Sequence, residues 1–448
     1  MERFDAIVIG AGQAGPSVAG DLADRGQHVA LVEFEQVGGT CLNHGCRPTK
    51  ALRASAVAAH RARRASDYGI STGPVRVDFP AVMQRMHTMI DGMRSGLREW
   101  LESLPGLELV SGQAELRTGD GEHRVLTDDG RELVSSQIYL DLGGRAAAPP
   151  IPGLDGVNFL TEVELLQLTE LPTELIIIGG SYIGCEFGQM FTRFGSQVTI
   201  IGGIAPREDS DVSAAIAGML TDEGVRLVDA RASEVTEDAG RITVRCDDGT
   251  EISGDQLLIA AGRRPNTDLI GDQHGLAVDD RGFIKIDDRY ATSVPGVWAL
   301  GDVNGRGAFT HTAYQDSQIL LDPDRSVAGR ITAYAMFTDP PLGRVGMTEA
   351  QARKSGRNVL KAEVPMSRVS RAMLDSETIG LMRMLVDADT EEILGATFFG
   401  LDGDDLVQQV GLAMQAKVGY KQVRDALPIH PTVAEFIPSL MSSLTELD

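Results

Sequence analysis

Short apolar runs flanking closely spaced glycines mark the N-terminal part of the chain. Residues 6–9 form one such run, and residues 29–32 form another, which ends at Glu33. Between them lie a glycine turn and a helix-like stretch that stops at Gly26. The turn has the pattern G-x-G-x-x-G and contains Gly10, Gly12 and Gly15. Because short continuous apolar runs are typical of buried strands in parallel sheets, the pattern predicts a strand, a turn, a helix and a second strand.

The same pattern recurs at an offset of 169 residues, without a gap. Apolar runs at 175–178 and 198–201 flank a second turn and a second helix-like stretch. This turn contains Gly179, Ser181, Tyr182 and Gly184, with the serine in place of the middle glycine. Glycines at these positions let the backbone approach a pyrophosphate at the positive end of the following helix. The repeat therefore predicts two Rossmann-type βαβ units, each with a dinucleotide site.

The rest of the chain alternates between helical and strand-like patterns. We expect helix over 50–104, short strands over 107–142, a hinge at 149–153, a closing segment at 260–266 that includes Gly262, strands at 381–386 and 393–399, and a long helix around 404–417. At about 150 residues per domain, 448 residues should fold as about three domains.

Composition and charge narrow the classes of function. A formal charge of −23 disfavours nucleic-acid backbones and anionic membrane surfaces as partners. No apolar run approaches the ~18–20 residues that span a bilayer, and the N-terminus lacks the layout of a signal peptide. Four cysteines in a chain of this length do not form a secreted disulfide framework. We therefore expect a cytoplasmic protein that acts on a small-molecule substrate.

Two cysteines, Cys41 and Cys46, stand out in a segment that is rich in glycine. Five residues of ideal helix rise about 7.5 Å, whereas a disulfide needs Cα atoms no more than ~6.8 Å apart. A bridge between them therefore requires a distorted first turn, which Gly45 and Pro48 permit. The alternatives are two buried thiols or half of a zinc site, but Cys185 and Cys246 are isolated and lack zinc-site spacing. We predict a redox-active pair and no metal site.

Five motifs, in the same order, resemble those of the FAD-dependent pyridine nucleotide–disulfide oxidoreductases. That family includes dihydrolipoamide dehydrogenase, glutathione reductase and mercuric reductase. The motifs are the glycine-turn repeat, the cysteine segment 38–50, and segments 293–302, 337–341 and 430–435. The resemblance implies an α/β fold with two Rossmann-type dinucleotide-binding domains and a C-terminal α+β dimerisation domain. Its implied bounds are 1–148 and 266–328 for the FAD-binding domain, 149–265 for the NAD(P)H-binding domain and 329–448 for the dimerisation domain.

The resemblance also implies which residues bind the cofactors. The set expected to bind FAD is Gly10, Gly12, Gly15, Glu33, Gly39, Thr40, Lys50, Gly301 and Asp302. The set expected to bind the nicotinamide nucleotide is Gly179, Ser181, Tyr182, Gly184 and Gly262, to which the position of Arg207 after the second strand adds that arginine. Glu33, at the end of its strand, is positioned to bind the ribose hydroxyls of the adenosine.

The catalytic residues follow from the same resemblance. Cys46 is implied to be the flavin-side thiol and Cys41 the interchange thiol that attacks substrate. A second pair, Lys50 and Glu186, is implied to lie beside the flavin ring, where a cation favours reduced-flavin charge. The last pair is His430, a general acid–base, and Glu435, which orients it. In the family this histidine reaches the flavin site of the neighbouring subunit, so we expect a homodimer.

The choice between NADPH and NADH rests on the end of the second strand of the second unit. Gly202 occupies the position that corresponds to Glu33 in the first unit. Without an acid there, a 2′-phosphate is not repelled, and Arg207 lies a few residues farther on. We predict a preference for NADPH, with NADH as the alternative.

The sequence does not decide the identity of the substrate or the role of one unusual arginine. The leading interpretation is an NAD(P)H-dependent reductase of a disulfide or small electrophile; the alternatives are a dihydrolipoamide dehydrogenase, a mercuric reductase-like flavoprotein acting on a metal ion or quinone, and a redox sensor. No cysteine follows Cys246, unlike in mercuric reductase, and Pro428 replaces a histidine that is usual in dihydrolipoamide dehydrogenase.

Arg47 replaces the usual apolar residue after Cys46. It is predicted either to stabilise the nearby thiolate or to point away and pair with a surface carboxylate.

Overall fold

The computed structural model of the chain describes residues 1–447. Strands of the N-terminal part are β1 (Glu2–Arg3), β2 (Ala6–Ile9), β3 (Val29–Glu33), β4 (Leu107–Ser111), β5 (Ala114–Arg117), β6 (His123–Thr127), β7 (Glu132–Ser135), β8 (Ile138–Leu140) and β9 (Gly144–Ala146). Its helices are α1 (Gly15–Asp24), α2 (Gly39–Asn43), α3 (Cys46–Arg63) and α4 (Phe79–Ser103).

The middle of the chain forms a second unit. Its strands are β10 (Glu174–Ile178), β11 (Gln197–Ile201), β12 (Arg226–Val228), β13 (Ala232–Asp238), β14 (Arg241–Cys246), β15 (Glu251–Gly254), β16 (Gln256–Ile259) and β17 (Arg263–Pro265). Its helices are α5 (Glu162–Leu165), α6 (Tyr182–Phe194) and α7 (Ser210–Asp222).

The remaining elements complete the first unit and build a third. They are β18 (Val297–Ala299), α8 (Thr310–Leu321), β19 (Ala333–Met336), β20 (Leu342–Gly346), α9 (Glu349–Lys354), β21 (Val359–Pro365), α10 (Ser370–Leu374), β22 (Leu381–Asp387), β23 (Ile393–Phe399), α11 (Gly403–Gln415), α12 (Tyr420–Arg424), α13 (Phe436–Met441) and β24 (Thr445–Glu446). Short 3-10 turns lie at Ala65–Tyr68, Leu154–Gly156, Thr267–Ile270, Gly301–Asn304 and Met366–Arg368.

The sequence repeat is also a structural repeat. In the five-stranded parallel sheet β18-β8-β2-β3-β4, Ile7 lies opposite Ala30. In the four-stranded parallel sheet β12-β11-β10-β16, Ile176 lies opposite Thr199. Both residues of the second pair are offset by 169 from those of the first, so the two units share one strand register. The apolar runs are buried because helices cover parallel sheets on both faces.

The third unit is an antiparallel sheet covered by helices. Its strand order is β19-β20-β23-β22-β21-β24. Helix α11 packs against it through Leu406, Val407 and Val410, which belong to one apolar cluster with Phe398 of β23. The predicted strands at 381–386 and 393–399 and the helix around 404–417 are all present. The four domain bounds stay a prediction.

The expectation of continuous helix over 50–104 is wrong between 64 and 78. Helix α3 ends at Arg63, and helix α4 begins only at Phe79. Gly69 between them adopts a φ of +73°, and Pro74 disfavours helix in the residue before it. Asp78 caps the new helix, because its side chain accepts a hydrogen bond from Ala81 N at 3.0 Å.

The three units pack into one body around α3, α4 and α6. Phe79 of α4 and Phe191 of α6 lie in one apolar cluster, with ring centroids 5.8 Å apart. The buried Arg193 of α6 pairs with Glu223 and with Asp339 of the third unit, both at 2.6 Å. These contacts join the three units to one another. No helix in residues 1–447 is long and apolar enough to cross a membrane, and the cytoplasmic location stays a prediction.

Candidate active site

A cavity of about 560 Å³ lies where the carboxyl ends of the first parallel sheet meet α2, α3, α6 and the start of α8. The predicted residues that line it are Gly10, Gly12, Glu33, Gly39, Thr40, Cys41, Cys46, Lys50, Tyr182, Glu186 and Asp302. The predicted residues that do not line it are Gly15, Gly179, Ser181, Gly184, Arg207, Gly262, Gly301, His430 and Glu435. The cavity therefore brings most of the predicted FAD-binding residues together with both predicted cysteines and the Lys50–Glu186 pair.

The first glycine turn leaves no room for side chains. A Cβ added at Gly10, whose φ is +101°, would lie 2.2 Å from the carbonyl oxygen of Asp141. One at Gly15 would lie 2.0 Å from the carbonyl oxygen of Gly10. None of the hydrogen bonds in the described residues uses the N–H groups of Gly12 and Gln13, which line the cavity. These free donors at the start of α1 fit the pyrophosphate of a bound dinucleotide.

Glu33 closes the same end of the cavity. Its carboxylate accepts hydrogen bonds from Ala11 N at 2.8 Å and Glu35 N at 2.9 Å. Burial raises the pKa of Glu33. The side chain is therefore held rigidly at the end of β3, where an adenosine ribose is expected.

The second glycine turn has the same close packing as the first. A Cβ at Gly179 would lie 2.4 Å from the carbonyl oxygen of Ala260, and one at Gly184 would lie 1.9 Å from that of Gly179. Ser181 is the residue that precedes α6, and Tyr182 is the first residue of that helix. Gly262 adopts a φ of +136°, with no atom near an added Cβ. The second turn therefore packs against the end of its sheet as tightly as the first.

The chain breaks its helix between the two cysteines. Helix α2 ends at Asn43 and α3 begins at Cys46, with Gly45 at a φ of −133° and a ψ of −115°. A Cβ at Gly45 would lie 2.9 Å from Thr40 O, so the glycine permits the sharp reversal. Both cysteines are free thiols in this structure, Cys41 buried and Cys46 exposed to the cavity.

The two thiols differ in acidity. A hydrogen bond from Cys41, the Thr310 hydroxyl at 3.0 Å and the charge of Lys50 together outweigh burial and lower the pKa of Cys46 to about 6. The pKa of Cys41 is raised, first by that same hydrogen bond and then by burial. At neutral pH the pair therefore carries a thiolate at Cys46 and a thiol at Cys41.

Lys50 and Glu186 form an ion pair at one wall of the cavity. Lys50 Nζ lies 2.9 Å from Glu186 Oε2 and 4.1 Å from the centroid of the Phe337 ring. Glu186 Oε1 accepts a hydrogen bond from Phe337 N at 2.9 Å. One pair thus joins α3 and α6 to the segment that opens the third unit. It also fixes a positive charge next to the thiolate.

Three residues around the starts of α8 and β17 were missed by the sequence analysis. Thr310 lies 264 positions from the cysteine it contacts, so no local pattern identifies it. Phe309 packs against Tyr182, with ring centroids 6.1 Å apart. Arg263 Nε lies 4.0 Å from Asp302 Oδ2 and lines the cavity. The only sequence signal for Arg263 was the run Arg-Arg-Pro-Asn in the closing segment, which begins with this residue.

His430 and Glu435 form a pair, but away from this cavity. His430 Nδ1 lies 2.8 Å from Glu435 Oε2, and the histidine side chain is 75% exposed. Leu427 and Ile429, just before it, are 97% and 79% exposed. An oriented imidazole among exposed apolar side chains is typical of a surface that another chain covers.

The two remaining arginines both lie outside the cavity. Arg207 is exposed. Arg47 Nη1 lies 3.3 Å from the sulfur of Met93 on α4, rather than beside a surface carboxylate. Its charge lowers the pKa of Cys41, but this effect is smaller than those of the hydrogen bond with Cys46 and of burial. Arg47 therefore faces the interchange side of the pair.

Two family models match the chain. One, described as pyridine nucleotide-disulphide oxidoreductase, matches residues 4–317, and one described as the dimerisation domain of these enzymes matches residues 332–441. The probable pyridine nucleotide-disulfide oxidoreductase RclA of Escherichia coli (strain K12) is 34% identical over 99% of each chain. Dihydrolipoyl dehydrogenase of Chlamydia muridarum is 31% identical over 97% of this chain and 95% of its own. Mercuric reductase of Bacillus cereus is 31% identical over 96% of this chain and 70% of its own.

Solved structures agree with these relatives. The structure titled HOCl-induced flavoprotein disulfide reductase RclA from Escherichia coli has a TM-score of 0.88 at 34% identity, over 98% of this chain and 99% of that chain. Its Cu(II) complex has a TM-score of 0.88 at 34% identity, over 99% of both chains. The predicted family and fold class are confirmed. The chain belongs to the pyridine nucleotide–disulfide oxidoreductases, flavin-dependent enzymes that use NAD(P)H and act on sulfur groups.

Proposed function

We propose that this enzyme uses NADPH to reduce a disulfide or small electrophile through the pair Cys41 and Cys46. The observation that carries the proposal is the placement of both sulfurs on the cavity wall, with Thr310 Oγ1 3.0 Å from Cys46 Sγ and the Lys50–Glu186 ion pair on the same wall. Bound FAD would accept a hydride from the nucleotide and supply an electron pair to the cysteines. The residues that would bind FAD are those of the first glycine turn, Glu33 and Asp302. The free backbone N–H groups and the close packing of the turn fit a dinucleotide.

Each thiol then has its own task. Cys46, exposed to the cavity and stabilised as a thiolate by Thr310 and Lys50, is the flavin-side sulfur. Cys41 gives its proton to the histidine described below and attacks the substrate, which releases one half as a thiol that takes up the same proton. The Cys46 thiolate then attacks Cys41, so the second half leaves and the internal disulfide forms again. Glu186 holds Lys50 in position through their 2.9 Å contact, which keeps the cation at the thiolate.

The proton for the departing thiol is proposed to come from a second subunit. His430 is oriented by Glu435 at 2.8 Å, is 75% exposed and does not line its own chain's cavity. Its neighbours Leu427 and Ile429 are the apolar surface that a partner would bury. We therefore propose a homodimer in which each histidine serves the cavity of the other chain.

NADPH is proposed over NADH because the residue directly after β11 is a glycine rather than an acid. Gly202 and Gly203 follow the strand, and Arg207 is exposed nearby as a partner for a 2′-phosphate. The ratio of kcat/KM for the two nucleotides tests this choice. A ratio above about 10 in favour of NADPH is expected, and equal values or a preference for NADH would contradict it.

A substrate panel tests the function itself. The purified protein should be yellow, with one FAD per chain, and NADPH oxidation should be followed with low-molecular-weight disulfides, quinones, Hg(II) and Cu(II). The last is included because a solved relative is a Cu(II) complex. Turnover lost in Cys41→Ser supports the proposal. Turnover that survives this change would show that electrons leave without the thiol pair.

Dihydrolipoyl dehydrogenase activity is the second candidate, because several relatives are named for it. It predicts fast reduction of NAD by dihydrolipoamide. If this rate matches or exceeds the rate with the best substrate of the reductase panel, dihydrolipoyl dehydrogenase activity replaces the main proposal.

A further inference from the structure

One buried carboxylate in the cofactor cavity has no role in the chemistry described above. Asp141 follows β8, the strand next to β2, and is only 7% exposed. Its backbone N–H donates to Ile9 O at 2.8 Å, which places the residue directly beneath the first glycine turn. Asp141 also lines the cavity. A carboxylate is therefore built into the site that fits the pyrophosphate.

The two oxygens of this carboxylate have different surroundings. Oδ2 accepts hydrogen bonds from Ala14 N at 3.1 Å and Gly15 N at 2.8 Å, the donors that open α1. Oδ1 accepts no hydrogen bond from the described residues. It lies 3.5 Å from the position of a Cβ on Gly12 and 3.1 Å from one on Gly301. Oδ1 therefore lies between the two glycine motifs that are proposed to hold FAD.

The charges around Asp141 are negative. Burial has the largest effect on Asp141, and the charges of Asp302 and Glu33 add to it, so the pKa of Asp141 rises to about 8 despite the two backbone hydrogen bonds. Arg263, a cation that lines the cavity, pairs with Glu162 and Asp302. A dianionic pyrophosphate in the cavity would add two more like charges within a site of low dielectric.

Protonation of Asp141 removes the negative charge that would repel the pyrophosphate and provides an O–H hydrogen-bond donor. With Oδ2 occupied by two N–H groups, the proton belongs on Oδ1, the oxygen that faces the cavity. A neutral carboxyl group there donates to a phosphate oxygen, whereas an ionised one can only accept. The N–H groups of Gly12 and Gln13 remain free for the same phosphates.

We infer that Asp141 is a positioning residue that binds FAD in its protonated form, so that FAD binding takes up a proton at this carboxyl group. The inference rests on the proposed function only in that FAD is the cofactor. Below the pKa of the FAD-free protein the affinity is independent of pH. Above it, the dissociation constant rises about tenfold per pH unit until the pKa of the bound state is reached.

Calorimetry on the full-length chain, stripped of FAD and titrated with FAD, tests this inference. Titrations in buffers of different ionisation enthalpy count the protons that binding takes up. At pH 9, one unit above a pKa of about 8, the natural chain should take up about 0.9 proton per FAD, and at pH 6 almost none. The variant Asp141→Asn keeps the acceptor and shape but cannot ionise. Its uptake should be zero at pH 9, and its affinity should not fall between pH 7 and pH 9.

A matched variant assigns the proton to the residue. Glu33→Gln should bind FAD more weakly at every pH but keep the uptake at pH 9. The inference is overturned if Asp141→Asn takes up as many protons as the natural chain, or if Glu33→Gln alone abolishes the uptake. Because the natural chain is itself measured, an absence of uptake at pH 9 overturns it even if no variant folds. Failure to bind FAD at any pH would instead contradict the proposed function.

Discussion

Removing one hydroxyl group beside the flavin-side thiol should change the acidity of that thiol by a measurable amount. Thr310 Oγ1 lies 3.0 Å from Cys46 Sγ, and Thr310→Val deletes this contact while nearly conserving shape. A hydrogen bond to a charged group contributes about 1.5–3 kcal/mol, which corresponds to about 1–2 pKa units. The pKa of Cys46 should therefore rise from about 6 to between about 7 and 8. The thiolate fraction at pH 7 should fall from about 90% to between about 50% and 10%.

The pH dependence of alkylation measures this change. Reduced protein carrying Cys41→Ser is treated with iodoacetamide at a series of pH values, and mass spectrometry of the peptides follows Cys46 alone. Adding Thr310→Val should move the midpoint of the rate profile upward. Thr310→Ser, which keeps the hydroxyl group, should leave the midpoint where it was. Superimposable profiles for the valine and serine variants would refute the assignment of this hydrogen bond.

Three further results are expected. Reductive titration of the natural chain should consume about four electrons per subunit, two on FAD and two on the cysteines, and Cys46→Ser should halve this number; unchanged uptake would remove the redox pair from the mechanism. Mixing equal amounts of Cys41→Ser and His430→Ala chains should restore about a quarter of the natural activity, because about half of the dimers then carry one intact site. No recovery after verified subunit exchange would contradict a site shared between chains. Arg47→Val should leave the alkylation midpoint of Cys46 unchanged, since its guanidinium contacts Met93 and acts on Cys41 instead; an upward shift would restore a role at the flavin-side thiol.

The sequence by itself determined the elements whose information is local or repeated. The strand–turn–helix–strand units were predicted from apolar runs and glycine spacing. The shared register of Ile7 with Ala30 and of Ile176 with Thr199 agrees with that reading. Such patterns are readable because a buried strand and a glycine turn each impose conditions on neighbouring residues. The distorted turn between Cys41 and Cys46 was predictable for the same reason, since helical rise over five residues is a local quantity.

The tertiary structure alone decided which distant groups meet the thiols. Lys50 meets Glu186 across 136 positions, and Thr310 reaches Cys46 across 264. The resemblance to a family anticipated the first contact, whereas nothing local indicated the second. Contacts of this kind depend on how whole units pack, and no periodicity along the chain records that packing.

Asp141 shows the same limit at the cofactor site. In the sequence it is one acidic residue after a short apolar run, with the features of an ordinary strand end. Only the sheet order, which sets β8 beside β2, brings its carboxyl group under the start of α1. Burial and the neighbouring Glu33 and Asp302 then decide its protonation, because the energy of a charge depends on its surroundings in space rather than on its neighbours in the chain.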